Sequence, residues 1–245
     1  MRYIGLTAAL LISCLAAPAV AKDSEVFVLG ALHGLHEQEE SFGYAELERV
    51  IEEIKPDVLL LEVTPEELAG KLETKGRPEY PKVVWPLLAR SGIKAYAMEA
   101  AQPLYGELTG DAGERWGEFT MNFPADETAL TAHSTATSNV LLAHWKSVAD
   151  TQDEATDALG RARAHLSGAM VAGTDPVQTR WDLAMVDAVK SAIAENSGKR
   201  ILVLGSYRNR YMFVEQLGGT KGTKLIDMKS WLNANGFDRS GSAAR

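Results

Sequence analysis

The chain carries one cysteine, Cys14, in 245 residues. It lies in an N-terminal apolar stretch that reads as a cleaved leader, so the remainder has no disulfide and no thiolate ligand. A metal there can be held only by histidine and carboxylate, and a covalent nucleophile can only be an oxygen or an imidazole. Basic charge is also short: 25 Lys and Arg stand against 33 Asp and Glu, a net charge of −8 at pH 7. Without a basic surplus to displace counterions, binding to a nucleic-acid backbone is excluded. Several familiar motifs are missing too. No Gly-x-Ser-x-Gly elbow follows the leader. "GGTKGTK" (Gly218–Lys224) lacks Walker spacing and leads into a strand, and "HEQEE" (His36–Glu40) lacks the second histidine of a zincin helix.

What is present begins with the leader itself. Arg2, the apolar run from Ile4 to Val20 and the small-x-small site Ala19-Val20-Ala21 form an export signal over residues 1–21. "LISC" (Leu11–Cys14) also fits a lipid-attachment pattern, but the residues after Cys14 stay apolar through Val20, which favours plain secretion into a periplasm or the medium. Pro18 and the polar "KDSE" that follows Ala21 argue against a membrane span, so none is expected after processing.

Residues 22–245 read as one domain. "EVFVLG" (Glu25–Gly30), "VLLLE" (Val58–Glu62), "IKAYAME" (Ile93–Glu99), "RILVLG" (Arg200–Gly205) and "KLIDM" (Lys224–Met228) are strand-like. Between the first two, Leu47, Val50, Ile51 and Ile54 recur at helical spacing and Pro56 ends the helix. "TPEE" (Thr64–Glu67) is a capping box with proline at the first helical position, and "YPKVVWPLLARSG" is a helix that Pro86 is expected to break. From about 126 to 197 no strand is visible; "TQDE" (Thr151–Glu154) and "DPVQ" (Asp175–Gln178) are helix caps inside that region. The expected fold class is therefore α/β: a mainly parallel central sheet flanked by helices, with an all-helical insert between the third and fourth strands. "VFVLGALH" and "ILVLGSYR" share one pattern, an apolar strand followed by Gly-x-x and a polar residue.

Ligands of parallel sheets sit beyond the carboxyl ends of the strands. His33 follows the first strand there, Glu62 ends the second, Glu99 ends the third, and Ser206, Tyr207 and Arg208 follow the fourth. His33 can serve as a general base or a metal ligand. Glu62 closes three leucines, so it needs a partner; it can orient His33 or share a metal with it. His36, Glu99, Arg180 and Tyr207 are the candidates for ligand contact, with Trp181 read as core.

These residues resemble a superfamily that contains the Tiki/TraB/GumN proteins, the ChaN-type haem-binding lipoproteins and the erythromycin esterases. The resemblance is carried by Gly30-Ala31-Leu32-His33, by "PDVLLLE" (Pro56–Glu62), by "TRWDLAM" (Thr179–Met185) and by a closing strand with Gly205-Ser206-Tyr207-Arg208. It implies a single Tiki/ChaN-like domain and, from the esterases, ester hydrolysis by a His/Glu pair that activates water. In Tiki-like members a second histidine stands where this chain has Arg208, and guanidinium cannot ligate a metal. The expectation is an exported hydrolase of ester or amide bonds, with His33, Glu62 and Arg208 catalytic and a small molecule or peptide as ligand. The alternatives are a periplasmic binder of haem or another anionic small molecule, with His33 as axial ligand, and a family member that binds without catalysing. A divalent transition metal held by His33 and Glu62 is the other cofactor the resemblance implies.

Overall fold

The computed structural model describes residues 22–74 and 76–238. The leader, with its cleavage and lipid-attachment patterns, and the last seven residues lie outside the described part. Five strands form one sheet: β1 (Ser24–Ala31), β2 (Val58–Leu61), β3 (Lys94–Ala97), β4 (Arg200–Ser206) and β5 (Thr223–Leu225). Their order is β3-β2-β4-β1-β5 and every pairing is parallel. Side chains alternate across each strand, so both faces must be apolar for a sheet covered on both sides. Phe27, Leu29, Leu59, Leu61, Leu202 and Leu204 pack against one face with α1 (Tyr44–Ile54) and α3 (Trp85–Arg90). Val26, Val28, Val58, Leu60, Ile201 and Val203 pack on the other with α7 (Thr174–Glu195) and α8 (Arg210–Leu217). The change of face follows from right-handed crossovers, because the connections from β1 to β3 run one way across the sheet and those from β3 to β5 run back.

Strand β2 leads outward to β3, whereas its neighbour β4 leads the opposite way to β5. The crevice between their carboxyl ends is thus a topological switch point, the place where open α/β sheets take ligands. Beside it, the two similar sequence patterns are direct neighbours: Phe27 pairs with Leu202, Leu29 with Leu204 and Gly30 with Gly205. The likeness therefore puts His33 and Arg208 at matching positions past two adjacent strands.

Gly30 is needed for that approach. A Cβ there would stand 2.7 Å from Tyr207 Cα, a backbone atom that cannot step aside. At Gly205 the nearest atom is a ring carbon of Phe213, at 3.3 Å. Gly30→Ala is accordingly expected to cost about 1–3 kcal/mol in urea unfolding, and Gly205→Ala less. Equal costs would show that the backbone contact does not decide the matter.

Between β3 and β4 run four helices: α4 (Leu104–Asn122), α5 (Pro124–His144), α6 (Glu154–Met170) and α7. They begin at Leu104 rather than near 126, because the three glycines of "GELTGDAG" and Gly117 weaken the helical signal without stopping the helix. Two expected caps shift. Asp153, not Thr151, caps α6 by accepting the Thr156 N–H at 2.9 Å. Gly173, at φ 76°, precedes α7, so Asp175 lies inside its first turn. The capping box on α2 (Pro65–Gly70) is present as expected. Pro86 does not break a helix: it stands at the start of α3, after a π-helical turn over Tyr80–Val84. The last strand is shorter than expected, and Asp227 instead caps α9 (Met228–Ala234). Among the described residues no helix is long and apolar enough to cross a membrane.

Candidate active site

A cleft of about 400 Å³ opens at the carboxyl edge of the sheet, lined by His33, Glu62, Thr74, Arg77, Ser206 and Arg208 among others. His33 follows β1 in a left-handed backbone conformation, φ 55°, at the start of a short 3-10 turn, His33–Glu37. That conformation is uncommon for a residue with a Cβ, although histidine adopts it more readily than most, and a side-chain interaction can help to hold it. The interaction is with Glu79, whose Oε1 lies 2.7 Å from His33 Nδ1. Glu79 is fully buried, just before the π-helical turn, and its Oε2 has no partner among the described residues. With Glu79 as the acceptor, Nδ1 carries the proton and Nε2 keeps its lone pair. Nε2 has no hydrogen-bond partner among the described residues.

Glu62 follows β2 and is also buried. Its Oε2 accepts the Ser206 N–H at 2.6 Å, bridging the crevice between β2 and β4. Its Oε1 accepts from Arg77 Nη2 at 2.7 Å, and Arg77 Nη1 donates to its carbonyl oxygen. The Tyr80 hydroxyl accepts the Glu62 N–H at 2.9 Å. Glu62 thus has its partner, but that partner is Arg77, not His33. Arg77 Nη2 also lies 3.5 Å from Glu99 Oε1. Burial works against the Arg77 charge, and Glu62, with Tyr80 and Glu99, outweighs it, so the guanidinium pKa is raised.

Glu99 stands behind Arg77 and accepts from Trp181 Nε1 at 2.6 Å. Burial pushes its carboxyl up to about 7, with the charge on Glu62 adding to the shift and the bonds from Trp181 and Arg77 opposing it. For an acid, a folded pKa above the ordinary 4.5 means that the folded state binds the proton more tightly than the unfolded chain. The stability that this group contributes is therefore lost as pH rises from about 4.5 to 7. Replacing Glu99 with Gln should remove that loss, shifting the stability difference between parent and variant by about 2–3 kcal/mol between pH 5 and 7.5. Urea unfolding at the two pH values checks it, and an unchanged difference would refute it.

The remaining candidates divide. Arg208 lines the cleft; its Nε donates to the Tyr207 hydroxyl at 3.1 Å, and no carboxylate pairs with it among the described residues. Tyr207 is buried, edge-on to Trp145 at 5.6 Å between ring centroids, and its contact is with Arg208, which it orients. His36 is not in the cleft. Its Nδ1 donates to the Phe42 carbonyl at 2.6 Å and its Nε2 accepts the Leu32 N–H at 2.9 Å, so both nitrogens are spent on its own loop. Burial lowers its pKa and keeps it neutral. Arg180 is an exposed residue of α7 with its nitrogens 3.6–3.7 Å from Asp111 and Glu107 of α4, outside the cleft lining.

Two residues of this candidate site were not visible as such in the sequence. Arg77 and Glu79 come from "KGRPE", a short stretch between two helical segments that carries no motif. The one signal was that Glu62, closing an apolar strand, needed a partner.

The donor set does not fit a divalent metal. Arg77 and the Ser206 N–H take up both Glu62 oxygens, which leaves His33 Nε2 as a lone donor, and no group of three His, Cys, Asp or Glu side chains suited to a metal exists among the described residues. Haem fits no better, since the cleft lining is polar and lacks the apolar walls a macrocycle needs. Comparison with protein-family models, curated proteins and solved structures returns no match.

Proposed function

We propose that the chain is a hydrolase of ester or amide bonds that uses water activated by His33. The observation that carries this reading is the His33–Glu79 pair, a strained histidine at a strand end whose Nδ1 is fixed by a buried carboxylate. Such a pair leaves Nε2 as the base. Nε2 takes a proton from water, the water oxygen bonds to the carbonyl carbon, and the same nitrogen returns the proton to the leaving alcohol or amine as the C–O or C–N bond breaks. Glu79 holds the ring in the required tautomer and offsets the charge on the imidazolium. Arg208, whose terminal nitrogens bond no protein group among the described residues, faces negative charge developing on the substrate. Arg77 is a positioning residue, locked by Glu62 and Glu99.

The reading agrees with the esterase side of the superfamily resemblance and treats the chain as a divergent member. Arg208 in place of a second histidine supports a reaction that needs no metal. It equally favours the second reading, in which the cleft binds an anionic small molecule without turning it over. A panel of p-nitrophenyl esters and anilides, assayed with and without EDTA, separates the two. The hydrolase reading expects saturable, EDTA-resistant release of p-nitrophenol or p-nitroaniline, and release no faster than buffer from every member would defeat it. Export with removal of residues 1–21 belongs to the same reading, and an intact mass starting at Lys22 checks it.

A further inference from the structure

Arg208 and Asn209 line a second pocket as well as the cleft, so the two spaces meet at this turn. The second pocket, of about 280 Å³, lies between α6, α7 and the start of α8. Gly160 lets α6 come close: a Cβ there would stand 2.9 Å from the Arg208 carbonyl oxygen. One turn further along the same face of α6, Arg163 lines the pocket beside Arg208. Neither arginine has a carboxylate partner among the described residues. Arg163 is half-buried and Arg208 exposed; burial together with the Arg208 charge lowers the Arg163 pKa. Two guanidiniums lining one pocket, neither with a carboxylate on it, are free to share an anion.

We propose that this second pocket is a carboxylate subsite, in which Arg163 and Arg208 together hold a carboxylate of the ligand that occupies the cleft. The proposal rests on the hydrolase reading for the nature of the reacting bond, and not for the carboxylate. Two guanidinium forks match a planar carboxylate. The other charged groups lining the pocket are Asp175 and Asp182 of α7, the latter holding Gln178 Nε2 at 2.7 Å. They set a limit, because a second negative charge on the same group held in this pocket would be repelled. A monoanionic group is therefore preferred over a phosphate dianion. The substrate class that follows is an ester or amide of a dicarboxylic acid, with one acid group free.

The test is calorimetric titration of glutarate and of inorganic phosphate into the processed chain. Glutarate is expected to bind, and more tightly than phosphate. Arg163→Gln should weaken glutarate binding at least tenfold with Tm unchanged. Arg161→Gln removes the same charge from the same helix but from a residue paired with Glu215, outside the pocket, and should change binding less than twofold. Equal losses in the two variants, tighter binding of phosphate, or no glutarate binding would each overturn the subsite. Hydrolysis of monomethyl and dimethyl glutarate keeps the two ideas apart. Turnover of both esters at equal kcat/KM leaves the hydrolase standing and removes the subsite. Glutarate binding that depends on Arg163, without turnover of either ester, leaves the subsite standing and removes the hydrolase.

Discussion

Glu79→Gln will lower kcat on an ester substrate by about 10²–10³-fold, and His33→Ala by a similar factor. The amide keeps the size of the carboxyl but can turn its NH₂ toward Nδ1. The ring then takes the other tautomer and Nε2 ceases to be the base. Because the change acts on tautomer and not on shape, KM and Tm should stay close to the parent values while kcat falls. The double variant should be no slower than His33→Ala alone, since Glu79 acts only through the histidine. Steady-state kinetics decide this. Turnover within threefold of the parent in both single variants would end the general-base role.

Arg77→Met is expected to cost roughly 3–5 kcal/mol of stability, because it leaves the buried Glu62 and Glu99 without their cation. For a domain of this size Tm should fall by on the order of 10 °C. Two comparisons make the cause visible. Adding Glu62→Gln to Arg77→Met should recover part of the loss, as the stranded charge is removed with its partner. Arg208→Met, at an exposed arginine with no carboxylate on it, should change stability by no more than about 0.5 kcal/mol. Chemical unfolding of the three variants reads all of this. If Arg77→Met and Arg208→Met cost the same, Arg77 is not the residue that makes the buried acids tolerable.

The contrast between these two arginines also shows what could be read in the amino-acid order. Strand identity came from short β-branched runs, and the parallel arrangement from their alternation with helices. Those two facts were enough to put His33, Glu62, Glu99 and Arg208 at one sheet edge. They could not pair them. His33 finds Glu79 46 positions away and Glu62 finds Arg77 15 positions away, in a short stretch between two helices that carries no motif. Trp181 read as core because an indole is mostly apolar, although its N–H serves Glu99. His36 looked like a second ligand from its spacing alone. Only the fold of its own loop reveals that Phe42 and Leu32 use up both nitrogens. Helix α9 was hidden because a strand was expected to run on through Asp227, which in fact caps it.

The strand order has a consequence for how the chain is made. β4 lies between β1 and β2, and those two strands do not pair with each other. During translation the first three strands emerge early, but the ribosome must pass Ser206 before β1 can join β2 and β3 in one sheet. Until then the growing chain holds two separate apolar pieces, and His33 stands apart from Glu62. Pairing over such a span closes slowly and leaves strand edges open to wrong partners in the meantime. A nascent fragment that stops in α7 should therefore bind a holdase chaperone strongly and show no activity, even though it already contains His33, Glu79, Glu62 and Arg77.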